Sequence, residues 1–491
     1  MNIFARVKEF FMNLFRTNAE KEFNVDIIAS PQMENAQSEW QAIIKGRPYW
    51  GKKNTKTINF AKFLCYYTAK KTCMDLKVTV SGSERADYID QCIKAMIQKS
   101  IRDKVEDACG AGGIILKPNG TYNASGAIDY VMPGSFAVTE KNSNGDILGI
   151  IFIDRLIKGD IYYTRLEYQH FTAPFADDLE NTGRTYVIEN RAYKSRGADS
   201  LGSRIALTDV QEWDSIPEIL TLSNVEKPLF GYFKMPYNNT IDYTSPEGVA
   251  IFSNCIQELH DLDVAWSRKG DEVDDSQHIT FIDEIALKKR NKDNPKVEET
   301  LELPRFVQGI KHGVDAKSTI DEHVPSLLTD QRITDINSIL SMISTKAGFS
   351  QGQFILDRKT GMVTATQVES DDSETVETIN DIRTALKTAI KDLIYALDKY
   401  CDVFFNMPSG YVNALDEDVA DEDVFYFKDL LASFEQDRTR AYQLMVQGVY
   451  SKRRYLKEYE GFNDAEIDEM LAEVEQEKSA EQKSQGLFGE E

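Results

Sequence analysis

The chain has 491 residues, 42% hydrophobic and 28% charged, with a formal net charge of −23. That length suffices for about two to four structural regions with a substantial core. The charge argues against a protein that coats nucleic acid, because non-specific affinity for phosphates comes from Lys and Arg.

Residues 1–32 open with "MNIFARVKEFFMNLFRTNAE", in which Phe4, Val7, Phe11, Leu14 and Phe15 recur at helical spacing between Arg6, Lys8 and Arg16. An amphipathic helix packed on a partner protein is expected, with a membrane-surface helix as the alternative. The segment lacks the features of a signal peptide, and no run of about 18 apolar residues occurs to span a membrane. Cys65, Cys73, Cys92, Cys109, Cys255 and Cys401 form no Cys-x-x-Cys pair and read as reduced, buried thiols, which suits folding in the cytoplasm.

Residues 33–110 predict helices interrupted at "KGRPYWGKKN", and "CGAGG" marks a helix stop before the strand "GIILKPNG". From there to about residue 215, runs such as "ILGIIFIDR" and "DIYYTRLEYQ" predict antiparallel strands, with Asn144-Gly145 as a hairpin turn. Ser245 as N-cap, Pro246 at the first helical position and Gly270 as the stop predict the next helix. A mixed segment follows with the strand "HITFIDEIAL" and a basic loop of Lys288, Lys289, Arg290 and Lys292. A return helix carries Ile333, Ile336, Leu340 and Ile343 on one face and stops at Gly348. The pattern predicts a hairpin of helices with a compact module at its tip.

After the glycine-bearing loop "GFSQGQFILDRKTG", apolar residues recur at threes and fours from Val376 to Phe404. They predict a helix of about 60 Å from Gln367 onward, long enough to suggest a ring or an extended assembly. "ALDEDVADEDV" reads as a solvated, acidic linker. The remainder reads as three helices and a disordered tail over 481–491.

Catalytic signals are weak. "GAGG" lacks the Gly-Lys-Ser/Thr of a P-loop, and His170, His260, His278, His312 and His323 show no metal-ligand spacing. Glu369, Asp371, Asp372 and Glu374 are the sharpest enzyme-like cluster, since carboxylates can hold the divalent metals of a nuclease. Acids in a helix's first turn also favour its dipole, and that reading is preferred. A metal-dependent nuclease using this cluster is the alternative function. The basic loop contains no aromatics, so single-strand recognition is not supported there.

Five stretches, in order, resemble segments of the portal proteins of tailed bacteriophages, of the type found in long-tailed phages of Gram-positive hosts. They are "QSEWQAIIKGRPYW", "ACGAGGIILKP", "IDYTSPEGVAIFSNCIQELHDLDVAWS", "GMVTATQVESDDSETVETI" and "VQGVYSKRRYLKEYEGFNDAEIDEMLAEVEQE". Together they cover most of residues 35–480. The fourth is similar to a family pattern written Thr-Ala-Thr-Glu-Val. Gln367 stands where that pattern has Glu, so a charge is lost, although Gln can still close a capping box with Thr364.

The resemblance implies an α+β, predominantly helical portal fold that assembles as a dodecameric ring with a central channel at one capsid vertex. It implies a wing over 33–243 and stem helices over 244–270 and 326–348 around a clip at 271–325. A tunnel loop at 349–363, a long wing helix at 364–408, an acidic linker at 409–423 and a crown at 424–480 would follow. The protein would be a non-enzymatic virion component, assembled in the host cytoplasm, without catalytic residues, metal or cofactor. It would serve DNA packaging and ejection. Its expected partners are its own copies, double-stranded DNA passing without sequence specificity, terminase, major capsid and scaffolding proteins, and head-completion or adaptor proteins. Gln351, Gln353, Phe354, Asp357, Arg358 and Lys359 would line the channel as the tunnel loop, with Arg358 and Lys359 as brief DNA contacts. Lys288, Lys289, Arg290 and Lys292 would face partners from the clip, and Thr364, Thr366 and Gln367 would form the loop–helix hinge. An acidic channel wall lets DNA slide without stalling on Lys–phosphate contacts.

Overall fold

A computed structural model describes residues 18–51, 55–172, 185–197, 200–275, 279–283, 288–290, 298–300, 307–310, 320–323, 328–356, 373–428, 430, 434–458, 467 and 470–471. Helix outweighs strand, at 47% against 19%, but neither is minor. The chain divides into two units, Met1–Lys428 and Asp429–Glu491.

Unit 1 begins with α1 (residues 18–23) and α2 (Pro31–Ile44). The Ser30 hydroxyl accepts the Met33 N–H at 3.3 Å and Pro31 opens α2, so two local signals set its start. α3 (Phe60–Thr72), α4 (Glu84–Lys99) and α5 (Ile101–Ala111) follow. α5 ends at Gly112, whose φ of +90° suits glycine, and the chain turns directly into β2 (Gly113–Pro118), as the "CGAGG" pattern predicts.

Strands β4 (Phe136–Lys141), β5 (Ile147–Lys158), β6 (Ile161–Thr172), β7 (Thr185–Ser195) and β8 (Ser203–Ile205) lie side by side and antiparallel. β9 (Ile219–Leu222) also pairs β7, completing a six-stranded sheet. The expected turn joins β4 to β5, with Asn142 Oδ1 accepting the Asn144 and Asp146 N–H groups. A smaller sheet orders β10 (Gly231–Lys234), β2 and β3 (Ile128–Val131).

The long helix, α8 (Ser373–Val403), spans 31 residues, about 46 Å. Residues 364–372, where the longer expected helix would begin, lie outside the described residues. Ile379, Ile382, Leu386, Ala389, Ile390, Leu393, Ile394, Leu397 and Cys401 are all buried. At Gly231 a Cβ would fall 2.0 Å from the Ala389 carbonyl oxygen, so β10 and α8 touch backbone to backbone. The apolar stripe is therefore enclosed by its own chain, and helix length alone does not call for an assembly. Arg85 of α4 holds the far end of α8, donating to Asp398 Oδ1 at 3.0 Å, to the Met407 and Pro408 carbonyls at 2.6 and 3.1 Å, and to Asp402.

The helix expected from Ser245 begins later, as α6 (Ile256–Asp275), and it runs through Gly270. Tertiary hydrogen bonds explain the delay. Gly248 N–H donates to Tyr232 Oη at 3.0 Å and Ile251 N–H to the Cys109 carbonyl at 2.9 Å. A Cβ at Gly112 would lie 2.3 Å from Gly248 O, so two glycines let this strand-like approach replace the first helical turns.

Between α6 and α7 (Thr329–Lys346) lies a β module. β11 (Ile279–Asp283) pairs β14 (Val307–Ile310) in parallel and β15 (Ile320–His323) antiparallel. The basic run expected as a loop is β12 (Lys288–Arg290), whose register sets Lys289 opposite Glu299 and Arg290 opposite Glu298 of β13 (Glu298–Thr300). Lys292 lies outside the described residues.

The expected acidic linker is not one. Val412, Ala414, Val424 and Phe425 are buried, and Ser81 N–H donates to Asn413 Oδ1 at 2.8 Å. A one-turn helix, α9 (Asp421–Val424), leads into β16 (Phe425–Tyr426), which pairs β1 (Lys77–Val78). The acids sit on an apolar ribbon that docks on unit 1, and the unit boundary falls after Lys428 rather than near 424. Unit 2 contains α10 (Phe434–Val446) and α11 (Lys452–Glu458), the latter starting at Ser451, whose carbonyl accepts the Tyr455 N–H at 3.0 Å. The N-terminal stretch 1–17, the third helix start at Asn463 and Glu466, and the tail over 481–491 lie outside the described residues.

Candidate functional site at the α7–α8 junction

The path from α7 to α8 carries the channel-loop expectation. α7 buries Ile336, Leu340 and Ile343 against α6, and Lys346 and Arg332 pair with Glu258 and Glu272 of α6 at 2.5 and 2.8 Å. It stops at Gly348, with φ +77°, where a Cβ would meet Thr378 Oγ1 at 2.7 Å. Thr378 donates instead to the Gly348 carbonyl.

Residues 349–356 are tied down rather than loose. Ser350 N–H donates to Thr375 Oγ1 at 3.0 Å and Thr375 N–H to Ser350 Oγ at 3.2 Å, a reciprocal clasp across the junction. Leu356 N–H donates to Asn337 Oδ1 at 2.8 Å. Phe354, expected in the channel, is 9% exposed. Its ring meets Phe60, Phe63, Tyr67 and Phe349 at 5.2 to 5.8 Å, mostly edge-on. A ring packed this way cannot line a channel from the same position. Gln353 donates to Tyr67 Oη at 2.8 Å, which leaves Gln351 as the exposed one among the described members of the set.

An open groove of about 980 Å³ lies along this junction, with Thr334, Ser338 and Thr345 of α7, Gln351 of the turn and Glu374 of α8 on its walls. The Thr334 and Thr345 hydroxyls bond back to the Asp330 and Ser341 carbonyls of their own helix, so that wall is neutral and partly spent. Asp357, Arg358, Lys359, Thr364, Thr366 and Gln367 lie outside the described residues, as do Glu369, Asp371 and Asp372 of the carboxylate cluster.

The densest buried chemistry, missed from sequence, is on β6. Glu167 Oε2 accepts Lys117 Nζ at 2.6 Å and forms an ion pair with Arg165 Nη1 at 3.2 Å, and Glu167 Oε1 accepts Gln169. Tyr186 Oη donates onward to Gln169 Oε1 at 2.9 Å. Burial alone would raise the Glu167 carboxyl, but Lys117 and Arg165 more than offset it and hold it below the usual carboxylate range. The space beside it measures about 30 Å³, water-sized rather than substrate-sized. Arg165, Glu167 and Gln169 alternate along β6, a spacing that normally marks a solvent face, and Tyr400 of α8 and Phe404 just beyond it cover that face.

Among the described residues, no three His, Cys, Asp or Glu side chains are placed to hold a metal ion, and no helix is long and apolar enough to cross a membrane. All six cysteines are free thiols, five of them buried. Burial pushes Cys92 up to about 11 and Cys73, Cys255 and Cys401 to about 12, far from a reactive thiolate. In comparisons with known proteins, no family model matches the chain and no curated protein matches it.

Proposed function

We propose that the chain is a subunit of a phage portal, a ring at one capsid vertex through which DNA is packaged and ejected. One observation carries the reading. Two packed helices, α6 and α7, bracket a small β module, and the turn that ends the return helix is clasped to the start of the long helix α8 through Ser350 and Thr375. That order of parts is what the five resembling stretches imply for stem, clip, tunnel loop and wing. The strongly acidic composition supports it too, because a channel wall must let DNA pass without gripping it. The protein would act as a non-enzymatic ring, docking terminase during packaging and head-completion proteins afterwards, with energy supplied by a separate ATPase.

Negative-stain imaging of the purified chain tests this reading. Rings with a central hole are expected; monomers at every protein and salt concentration would overturn it.

A further inference from the structure

One strip of unit 1 reverses the charge balance of the chain. Between Phe60 and Val80 stand Lys62, Lys70, Lys71 and Lys77 against a single acid, Asp75, in a protein of net charge −23. Lys62, Phe63, Tyr66 and Lys70 are exposed along the outer side of α3, with Phe63 and Tyr66 at 45% and 42%. Arg102 of α5 lies over the Tyr66 ring at 5.0 Å, and Lys71 over Tyr67 at 5.7 Å. The strip continues across the β1–β16 pair, where Lys77 lies over the exposed Tyr426 at 5.5 Å. Arg383 joins the two halves, donating to the Lys71 and Thr72 carbonyls, while Arg383 and Lys387 cover the Phe427 ring at 5.0 and 5.6 Å. Lys428 closes the strip, its N–H bonded to the Met74 carbonyl at 3.3 Å.

These cations differ from others on the surface. Lys94, Lys158, Lys227, Lys346 and Lys391 each hold a carboxylate. Among the described residues, no ion pair joins Lys62, Lys70, Lys71, Lys77, Arg102, Lys387 or Lys428 to an acid. Asp103, Glu106 and Asp107 along α5 reduce the local field, and Glu106 feels Lys62 and Arg102, but Asp107 is taken by Lys104 and Glu106 is half-buried and forms no ion pair with either cation. Aromatic faces, rather than carboxylates, position several of these cations, and that leaves their charge unspent.

We propose that this strip binds the phosphate backbone of double-stranded DNA. Each cation that neutralises a phosphate releases a condensed counterion, so unpaired Lys and Arg are the groups such binding uses. From Lys62 to Lys71 the helix advances about 14 Å, room for several phosphates along a duplex. Single strands are disfavoured because the Tyr66, Tyr67, Tyr426 and Phe427 rings are already covered by cations and have less free face on which to stack bases. The charge pattern by itself calls for a polyanion, and the choice of duplex DNA rests on the portal reading. An acidic surface of a second copy is the competing occupant.

The test uses the full-length chain and a fluorescently labelled duplex of arbitrary sequence, with anisotropy measured over a salt series. The variant Lys62→Gln/Lys70→Gln/Lys71→Gln should lower the slope of log K against log salt by up to about 3, at about 0.9 for each phosphate no longer neutralised. The control Lys158→Gln/Lys227→Gln, which removes paired cations, should leave the slope unchanged. If the triple variant fails to fold, Lys70→Gln alone should still lower the slope by about 0.9. No duplex binding by the wild type at low salt overturns the strip, as does an unchanged slope in the folded variants. Loss of oligomers with DNA binding intact also overturns it, and reassigns the strip to contact between copies. Rings in the wild type are scored separately. Strip-dependent binding without rings sinks only the portal reading, whereas rings with strip-independent binding sink only this one.

Discussion

Lys117 and Arg165 are 4% and 7% exposed and share the carboxylate of Glu167, whereas Lys62 and Lys70 stand in solvent on α3 and, among the described residues, form no ion pair. Both groups are cations beside aromatic rings, and Lys117 lies over Phe152 much as Lys71 lies over Tyr67. Burial decides what each can do. An enclosed charge must be matched within the fold, since losing its partner leaves it stranded away from water. A solvated charge costs the fold almost nothing, so its placement is free to answer to a partner instead.

The largest effect should come from breaking the enclosed group. Glu167→Ala strands Lys117 and leaves Arg165 with only Asp154 and Asn190, and denaturant unfolding should show a loss of about 3–5 kcal/mol. Acid sharpens the same point. The Glu167 carboxyl lies below its ordinary value of 4.5 in the folded chain, so its contribution is present above that value and fades as pH falls through the folded one. The stability gap between wild type and Glu167→Gln should therefore narrow as the solution is acidified below about pH 4.5.

Phe354→Ala supplies an uncharged comparison on the border of the exposed strip, because its ring meets Phe63. A loss of about 3 kcal/mol in denaturant is expected, since the emptied space opens among the surrounding rings, with no change in the salt slope of DNA binding. Gly348→Ala should cost about 1–3 kcal/mol, through its positive φ and the approach of Thr378, measured as a lower melting temperature. Smallest of all, Lys62→Gln and Lys70→Gln should each change stability by less than about 0.5 kcal/mol. A large destabilisation there would remove the distinction between the two groups.

Local patterns were legible where neighbours in sequence decide the outcome. "CGAGG" stops α5 and turns the chain into β2, and Gly348 ends α7 with Ile336, Leu340 and Ile343 of the expected face buried and Ile333 half-buried. Ser245-Pro246 carried equally good helix signals, yet the Gly248 and Ile251 N–H groups donate to Tyr232 and Cys109, outside the segment, rather than to helical carbonyls. In "ALDEDVADEDV" the acids masked Ala414 and Val424, whose burial depends on the packing surface at residues 77–81. At the junction, the glycines of "GFSQGQFILDRKTG" predicted a loop after α7, but the fate of Phe354 is set by rings on α3. The cationic strip was invisible as a unit because its members come from α3, α5, α8 and residues 426–428.

The pairing of β1 with β16 constrains how this protein can be made. Ser81 and Asn413, bonded to one another beside that pair, are 332 residues apart in the chain. Pairings so distant form late, after the cost of closing a long loop. During synthesis the N-terminal helices emerge first but wait for α8 to cover them and for residues 412–426 to seal the edge. Until then their apolar faces are open to solvent and to other chains, so a ribosome stalled anywhere between α6 and Lys428 would release an aggregation-prone fragment rather than a smaller folded domain.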